Sequence, residues 1–312
     1  MKIFKGTVFI LLGIVSMNIA AEETWFPSRW GAGDEIGALN NVTPERVLQA
    51  IKLVKKGKVH ALGVEVNSDT PAFPPRTFHI TVLQPLQVGG VTLGPTKSTY
   101  NDDLVNGWNG MASQLDGLGH VGIDYVYYNG NKAADFVSAD GLKKLGIEKY
   151  PPMVARGVLL DMTGYYGKNI VPEGTAFNRK EIDAVAKSEG IEIREGDVVL
   201  FNTGWLALLG QDDDRYIKGE PGIGKEGALY LAGKNITAVG ADNFAVEAVP
   251  HEQGSGSYEI HQIMLAKNGI FLLETMDTAQ LARDKVYEFL FVLGQPKITG
   301  AVQAIINPVA IY

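Results

Sequence analysis

The chain has 312 residues, 46% of them hydrophobic, a formal net charge of -7 and no cysteine. That apolar fraction builds a sizeable core without disulfide or metal staples, and a mildly acidic chain lacking a basic block is excluded as a nucleic-acid or anionic-membrane binder. Without thiols, any metal or acid–base chemistry falls to Asp, Glu, amide oxygens and five histidines: His60, His79, His120, His251 and His261.

The amino terminus reads as a targeting segment. Met1-Lys2-Ile3-Phe4-Lys5 is a short basic start, residues 8–15 are an apolar run, and Asn18-Ile19-Ala20-Ala21 carries the small residues of a cleavage site. The run is too short for a comfortable bilayer span. The expectation is an export signal over residues 1–21 and one domain over residues 22–312. The mature protein is then soluble, free of the membrane after cleavage, and at home in a bacterial periplasm.

Thr43-Pro44-Glu45-Arg46 opens a helix, with Thr as N-cap, Pro at the first helical position and an acid in the first turn. Val47, Leu48, Ile51 and Val54 recur at helical spacing, which predicts a helix ending near Lys56-Gly57. Residues 59–66 and 78–83 read as strands flanking a proline-rich loop at Thr70-Pro71-Ala72-Phe73-Pro74-Pro75. Residues 157–162, 236–240 and 269–274 read as buried strands, and residues 196–205 as a turn, then a buried strand, then a loop. Residues 178–189 and 260–267 read as helices, and residues 288–293 and 303–306 supply late strands. Strands and helices alternate throughout, so the fold class is α/β.

Chemistry concentrates in Ser113-Gln114-Leu115-Asp116-Gly117-Leu118-Gly119-His120. If this glycine-rich segment is helical, the i,i+4 spacing puts Asp116 and His120 on one face. The pair then either binds a metal or orients a base; the alternative is a capping carboxylate and a satisfied core histidine. His261 lies on a helix, and Glu274 ends the next apolar run, where a carboxylate is costly unless paired or bound to a cation. With Asp116 and His120 these form an oxygen/nitrogen site for a divalent metal. His251-Glu252 sits on a Gly/Ser-rich loop, as a pocket lid or as a solvated turn. His79 alternates with apolar neighbours as a structural strand residue, and His60 follows a basic run.

At these residues the sequence resembles the cyclase family that includes bacterial kynurenine formamidases and isatin hydrolase. The family hallmark H-x-G-T-H-x-D-x-P-x-H aligns with the stretch from Gly110 to His120. A second signature, a histidine, a Leu-rich helix, then G-[IV] and a strand ending in Glu, matches His261-Gln262-Ile263-Met264-Leu265 and Gly269-Ile270-Phe271-Leu272-Leu273-Glu274. Weaker matches run from Trp30-Gly31 through Asn202-Thr203-Gly204-Trp205 and Gly240-Ala241-Asp242 to Asn307-Pro308.

The resemblance implies a single swivelling β/β/α-type domain with a mixed-sheet core, assembled as a dimer or tetramer. It implies one divalent metal ion, zinc or manganese, and hydrolysis of an amide, lactam or ester bond in a small-molecule substrate. It assigns Asp116, His261 and Glu274 as metal ligands and His120 as general acid/base, and Gln114, standing where the family has a ligating histidine, offers an amide oxygen as a further ligand. Phe73 takes the place of a pocket-lining aromatic, with His251 as a second substrate-side residue if its loop folds inward. The sequence departs from the hallmark where Gly110 and Gln114 stand in place of two histidines. That favours a single, oxygen-rich site, suited to manganese, magnesium or calcium over zinc. A small-molecule binding protein or pseudoenzyme on the same fold is the alternative.

Overall fold

The structure is a computed structural model and describes residues 24–84 and 90–312. The expected signal over residues 1–21 lies outside them. No helix among the described residues is long and apolar enough to cross a membrane.

Among the described residues, nine strands form one mixed sheet. Their order is Val59–Ala61, Val309–Ile311, Glu288–Leu293, Met153–Asp161, Val198–Asn202, Ala238–Ala241, Phe271–Glu274, Gln114–Asp116 and Gln303–Ile305. The four central strands from Met153–Asp161 to Phe271–Glu274 run parallel, and each end is closed by antiparallel pairs. Parallel strands covered on both faces read as unbroken apolar runs. Val198, Val199, Leu200 and Phe201 are accordingly all buried, as are Phe271, Leu272 and Leu273.

The helices cover this core. Pro44–Ile51 is capped by Thr43, whose hydroxyl accepts from Arg46 N at 3.4 Å, and it stops at Ile51, short of the expected Lys56-Gly57. Arg179–Glu189 starts on an Asn178/Glu181 capping box and buries Ile182, Val185 and Ala186. His261 ends the short helix Glu259–His261, which continues as a wide π-helical turn over Gln262–Lys267. Such widened turns recur at functional sites.

Two parts of the chain leave the main core. The hairpin of Phe78–Leu83 with Asp102–Gly107 exposes Ile80, Val82, Leu83, Leu104 and Val105. A small satellite cluster of Trp205, Leu208 and Tyr216, packed by Leu209, Ile217 and Phe244, builds an aromatic wall near the ends of the central strands.

Candidate metal centre

The strand Gln114–Asp116 sets the geometry. It is sandwiched between Phe271–Glu274 and Gln303–Ile305, with Gln114 opposite Glu274 on one side and Asp116 opposite Gln303 on the other. Side chains two apart on a strand share a face, so Gln114, Asp116, Glu274 and Gln303 converge. The segment carrying Asp116 and His120 is therefore not helical. Asp116 ends a strand, and Gly117, Leu118 and Gly119 turn the chain so that His120 N donates to Gly117 O at 3.0 Å. That turn brings His120 Nε2 to 3.7 Å from Asp116 Oδ2, the approach that a helix was expected to give.

His261 reaches the same point from the opposite layer. Its Nε2 lies 3.3 Å from Glu274 Oε1 and 3.7 Å from Asp116 Oδ2. Asp116, His261 and Glu274 are all buried, and one donor atom from each lies within 4.8 Å of the others. Asp116 Oδ1 accepts from Gln303 Nε2 at 2.7 Å and Gln114 Nε2 at 3.3 Å. Asp116 Oδ2 is buried with no hydrogen-bond partner. An orphaned carboxylate oxygen between two imidazole nitrogens is what a cation would satisfy, and a carboxylate–imidazole–carboxylate set suits a divalent one.

The charges follow from the packing. Burial, with the Asp116 carboxylate beside it, pushes the Glu274 carboxyl up, against the pull of His261. Burial works to lower the His261 pKa, but contacts with Glu247 and Glu274 outweigh it and hold the ring well above its ordinary value. His120 moves the other way. Burial holds its pKa below the ordinary value, helped by His261 and Arg76 and opposed by Asp116. Some 20% of its side chain is still accessible.

Gln114 presents nitrogen to the cluster. Its Nε2 donates to Glu274 Oε2 at 2.5 Å as well as to Asp116, so the expected amide-oxygen ligand is turned away in this arrangement. Amides between two carboxylates orient their NH2 inward, which is the assignment that hydrogen bonding dictates. Phe73 lies in a cleft that Gln114 and Glu274 also line, with Arg76, Tyr216 and Phe244 around it. The Phe73 and Phe244 rings meet edge to face at 5.0 Å. His251 lines neither that cleft nor the cluster. The adjacent Glu252 accepts from Lys225 N at 2.6 Å and Asn178 Nδ2 at 2.8 Å. That anchors the loop on the start of the helix Lys225–Gly233.

Three residues that the sequence reading passed over support the centre. Glu247 is buried, its Oε1 faces His261 Nδ1 at 3.4 Å, and it accepts from Tyr258 N and Ile260 N. Gln303 holds Asp116. Asn243 braces two strained positions, accepting from Thr275 N at 2.6 Å through its carbonyl and from Val246 N at 3.0 Å through its side chain. Val246 and Thr275 are β-branched residues at positive φ, and Ala112 and Tyr258 share that region. Each stands within three residues of Gln114, Glu247, His261 or Glu274. Strain of about 1–3 kcal/mol per such residue persists only where the surroundings over-determine it, and it gathers at functional sites.

Comparison with known proteins shows the fold and the family. A solved structure described as a novel cyclase is 28% identical, covers 91% of this chain and 96% of its own, and superposes with a TM-score of 0.82. Isatin hydrolase A from Ralstonia solanacearum is 19% identical over 81% of this chain and 91% of its own, TM-score 0.60. An isatin hydrolase bound to the product analogue thioisatinate is 16% identical over 87% and 99%, TM-score 0.61. At those last two identities the likeness is one of fold. A search of curated proteins finds no match. The model of the putative cyclase family matches residues 53–248, which include Asp116, His120 and Glu247. The chain belongs to the cyclase family.

Proposed function

We propose that this protein is a metal-dependent hydrolase that opens a carbon–nitrogen or ester bond in a small, flat, cyclic or aromatic substrate. The observation that carries this reading is Asp116 Oδ2, buried, unpartnered and 3.7 Å from an imidazole nitrogen on either side. Asp116, His261 and Glu274 are the residues that would hold the ion. When bound, a divalent cation supplies a Lewis acid that polarises a carbonyl and lowers the pKa of water.

The chain's own residues supply the rest. His120, its pKa held below the ordinary value by burial, takes the proton released on attack and returns it to the leaving nitrogen or oxygen. Phe73, Phe244 and Tyr216 offer ring faces and edges to a planar substrate in the cleft. Isatin, the substrate named for two proteins of the same fold, is a flat aromatic lactam and has that shape. The test is turnover of isatin, related lactams and aryl formamides by the metal-loaded protein. His120→Ala is expected to lower kcat by about 10²–10⁴-fold, the usual worth of such a proton transfer, while stoichiometric metal remains on elemental analysis. Loss of the metal along with the ring would overturn the role of His120.

A small-molecule binding protein without metal is the second reading, favoured by Gln114, whose amide already donates to both carboxylates. Protein purified without chelator or added metal separates the two. A stoichiometric divalent ion supports the hydrolase, and metal-free protein that still binds lactams supports the second reading. Either activity is proposed to lie outside the cytoplasm, a reading that rests on the sequence pattern of residues 1–21 alone.

A further inference from the structure

Gly110 is a glycine for reasons of space. Its backbone is not in the left-handed region, so its dihedrals do not require the absence of a side chain. A Cβ built there would lie 2.6 Å from Gln303 Oε1, 2.7 Å from Nε2 and 2.9 Å from Cδ. The whole Gln303 amide therefore stands in the volume that a side chain at position 110 would claim. Gly110 itself is buried and pinned, since its carbonyl accepts from Arg76 Nη1 at 2.7 Å.

Gln303 is held there by the sheet. It stands directly across from Asp116 in the antiparallel pair, and its Nε2 donates to Asp116 Oδ1 at 2.7 Å. Gln114 donates to the same oxygen at 3.3 Å. Two amides thus occupy one oxygen of the carboxylate and none occupies the other. An Asp side chain free to rotate about its last bond presents either oxygen, or both. Fixed in this way, it presents one.

We propose that Gln303 is a positioning residue for the metal centre, which binds Asp116 Oδ1 so that Oδ2 alone is offered to the cation, and that Gly110 and Gln303 act as one unit. This rests on the metal-dependent reading above. Gln303 orients a ligand from outside the coordination sphere, a class of partner whose removal typically costs roughly 10–100-fold in metal affinity. The pairing also accounts for the departure at Gly110, because a bulkier residue at 110 and the Gln303 amide cannot share the space.

The test is Mn2+ binding by calorimetry, with thermal unfolding of the metal-free proteins alongside. Gln303→Ala is expected to weaken Mn2+ binding about 10–100-fold with little change in the melting of the metal-free protein. Gly110→Ala displaces the amide and is expected to weaken binding in the same way. The double variant is expected to bind no more weakly than Gln303→Ala alone, because the added methyl then has nothing to displace; contacting residues show such non-additivity. Gln303→Leu keeps most of the volume and loses the donor, so it should behave as Gln303→Ala. Wild-type affinity in Gln303→Ala or in Gln303→Leu overturns the proposal, as does a double variant that sums the two single losses. A wild-type protein that binds neither Mn2+ nor Zn2+ overturns the metal-dependent reading and this role with it, a result distinct from normal wild-type binding with an indifferent Gln303.

Discussion

Two carboxylates stand at the ends of strands that flank Phe271–Glu274 in the same sheet, both buried and differently served. Asp242 follows the strand Ala238–Ala241. Its Oδ1 accepts from Thr203 N at 2.8 Å and Thr203 Oγ1 at 2.5 Å, and its Oδ2 accepts from Gly204 N at 2.7 Å. Both oxygens are satisfied by a single loop, which they tie down where Gly204 turns at positive φ. Asp116 has two amides on one oxygen and nothing on the other. An ion in the interior carries an effective penalty of several kcal/mol unless its hydrogen-bonding capacity is filled. Asp242 fills it within the fold and is a clamp. Asp116 leaves it open towards His120 and His261, and the open oxygen is where an external charge is called for.

The sharpest test of that contrast exchanges the two effects. Asp242→Ala strands three donors in the interior, so the fold is expected to lose about 3–5 kcal/mol, since a buried donor left unsatisfied costs about 1–3 kcal/mol, read by denaturant unfolding. The surviving folded protein should bind Mn2+ as the wild type does. Asp116→Asn is expected to do the reverse. It removes stoichiometric divalent metal, more than about 100-fold in affinity, since it takes away a direct ligand rather than an outer partner. It also relieves the repulsion that Asp116 exerts on Glu274, so the metal-free variant should melt at or above the wild-type temperature. A destabilised Asp116→Asn that still carries metal would mean that both carboxylates are structural.

The motif singles out Asp116 in the sequence, but nothing there shows that one of its oxygens stays open while both oxygens of Asp242 are filled, because the partners that distinguish them are set by tertiary structure. What is legible follows from burial. Met153–Asp161, Val198–Asn202 and Phe271–Glu274 are near-continuous apolar runs because helices or loops cover both faces. Gln114–Asp116 escapes detection as a strand because it spends its side chains on the site. Asp102–Gly107 escapes because it is exposed along its length and carries no burial pattern. Asp116, His261 and Glu274 are readable from a motif and a carboxylate at a strand end. Gln303 is not, since only the register with Asp116, 187 positions away, gives it meaning. Glu247 was within reach. A lone acid inside Ala245-Val246-Glu247-Ala248 is as costly to bury as Glu274 and invites the same question.

Glu247 sharpens the comparison at a smaller scale, because it is a clamp that serves the open site. Its oxygens accept from Tyr258 N at 3.1 Å and Ile260 N at 3.2 Å, and Oε1 faces His261 Nδ1 at 3.4 Å. The far nitrogen of a ligating imidazole is oriented by such a carboxylate. Glu247→Gln keeps the size and turns one acceptor into a donor against a backbone N–H. It is expected to weaken Mn2+ binding about 10–100-fold, with a loss of stability smaller than that of Asp242→Ala. Unchanged affinity on calorimetry would confine Glu247 to holding the turn at Tyr258.

Glu189 gives the smallest effect and a control far from the site. It ends the helix Arg179–Glu189, accepts from Asp161 N at 2.9 Å through Oε1, and leaves Oε2 buried without a partner. Like Asp116 it is half satisfied, but among the described residues no histidine contact or metal-type cluster includes it. Burial pushes its carboxyl up to about 8, with Asp161 adding to the push and the Asp161 N–H opposing it. The answer to the open oxygen here is a proton. Below the ordinary carboxyl range both folded and unfolded chains carry that proton, and the group contributes no pH dependence. Between that range and about 8 the unfolded chain has lost the proton and the folded chain keeps it, so stability falls as pH rises, and above about 8 the loss is complete. Glu189→Gln cannot ionise and removes this slope. Its melting temperature relative to wild type should therefore be higher at pH 8.5 than at pH 5, and curves that run parallel across that interval would place Glu189 ionised in the fold.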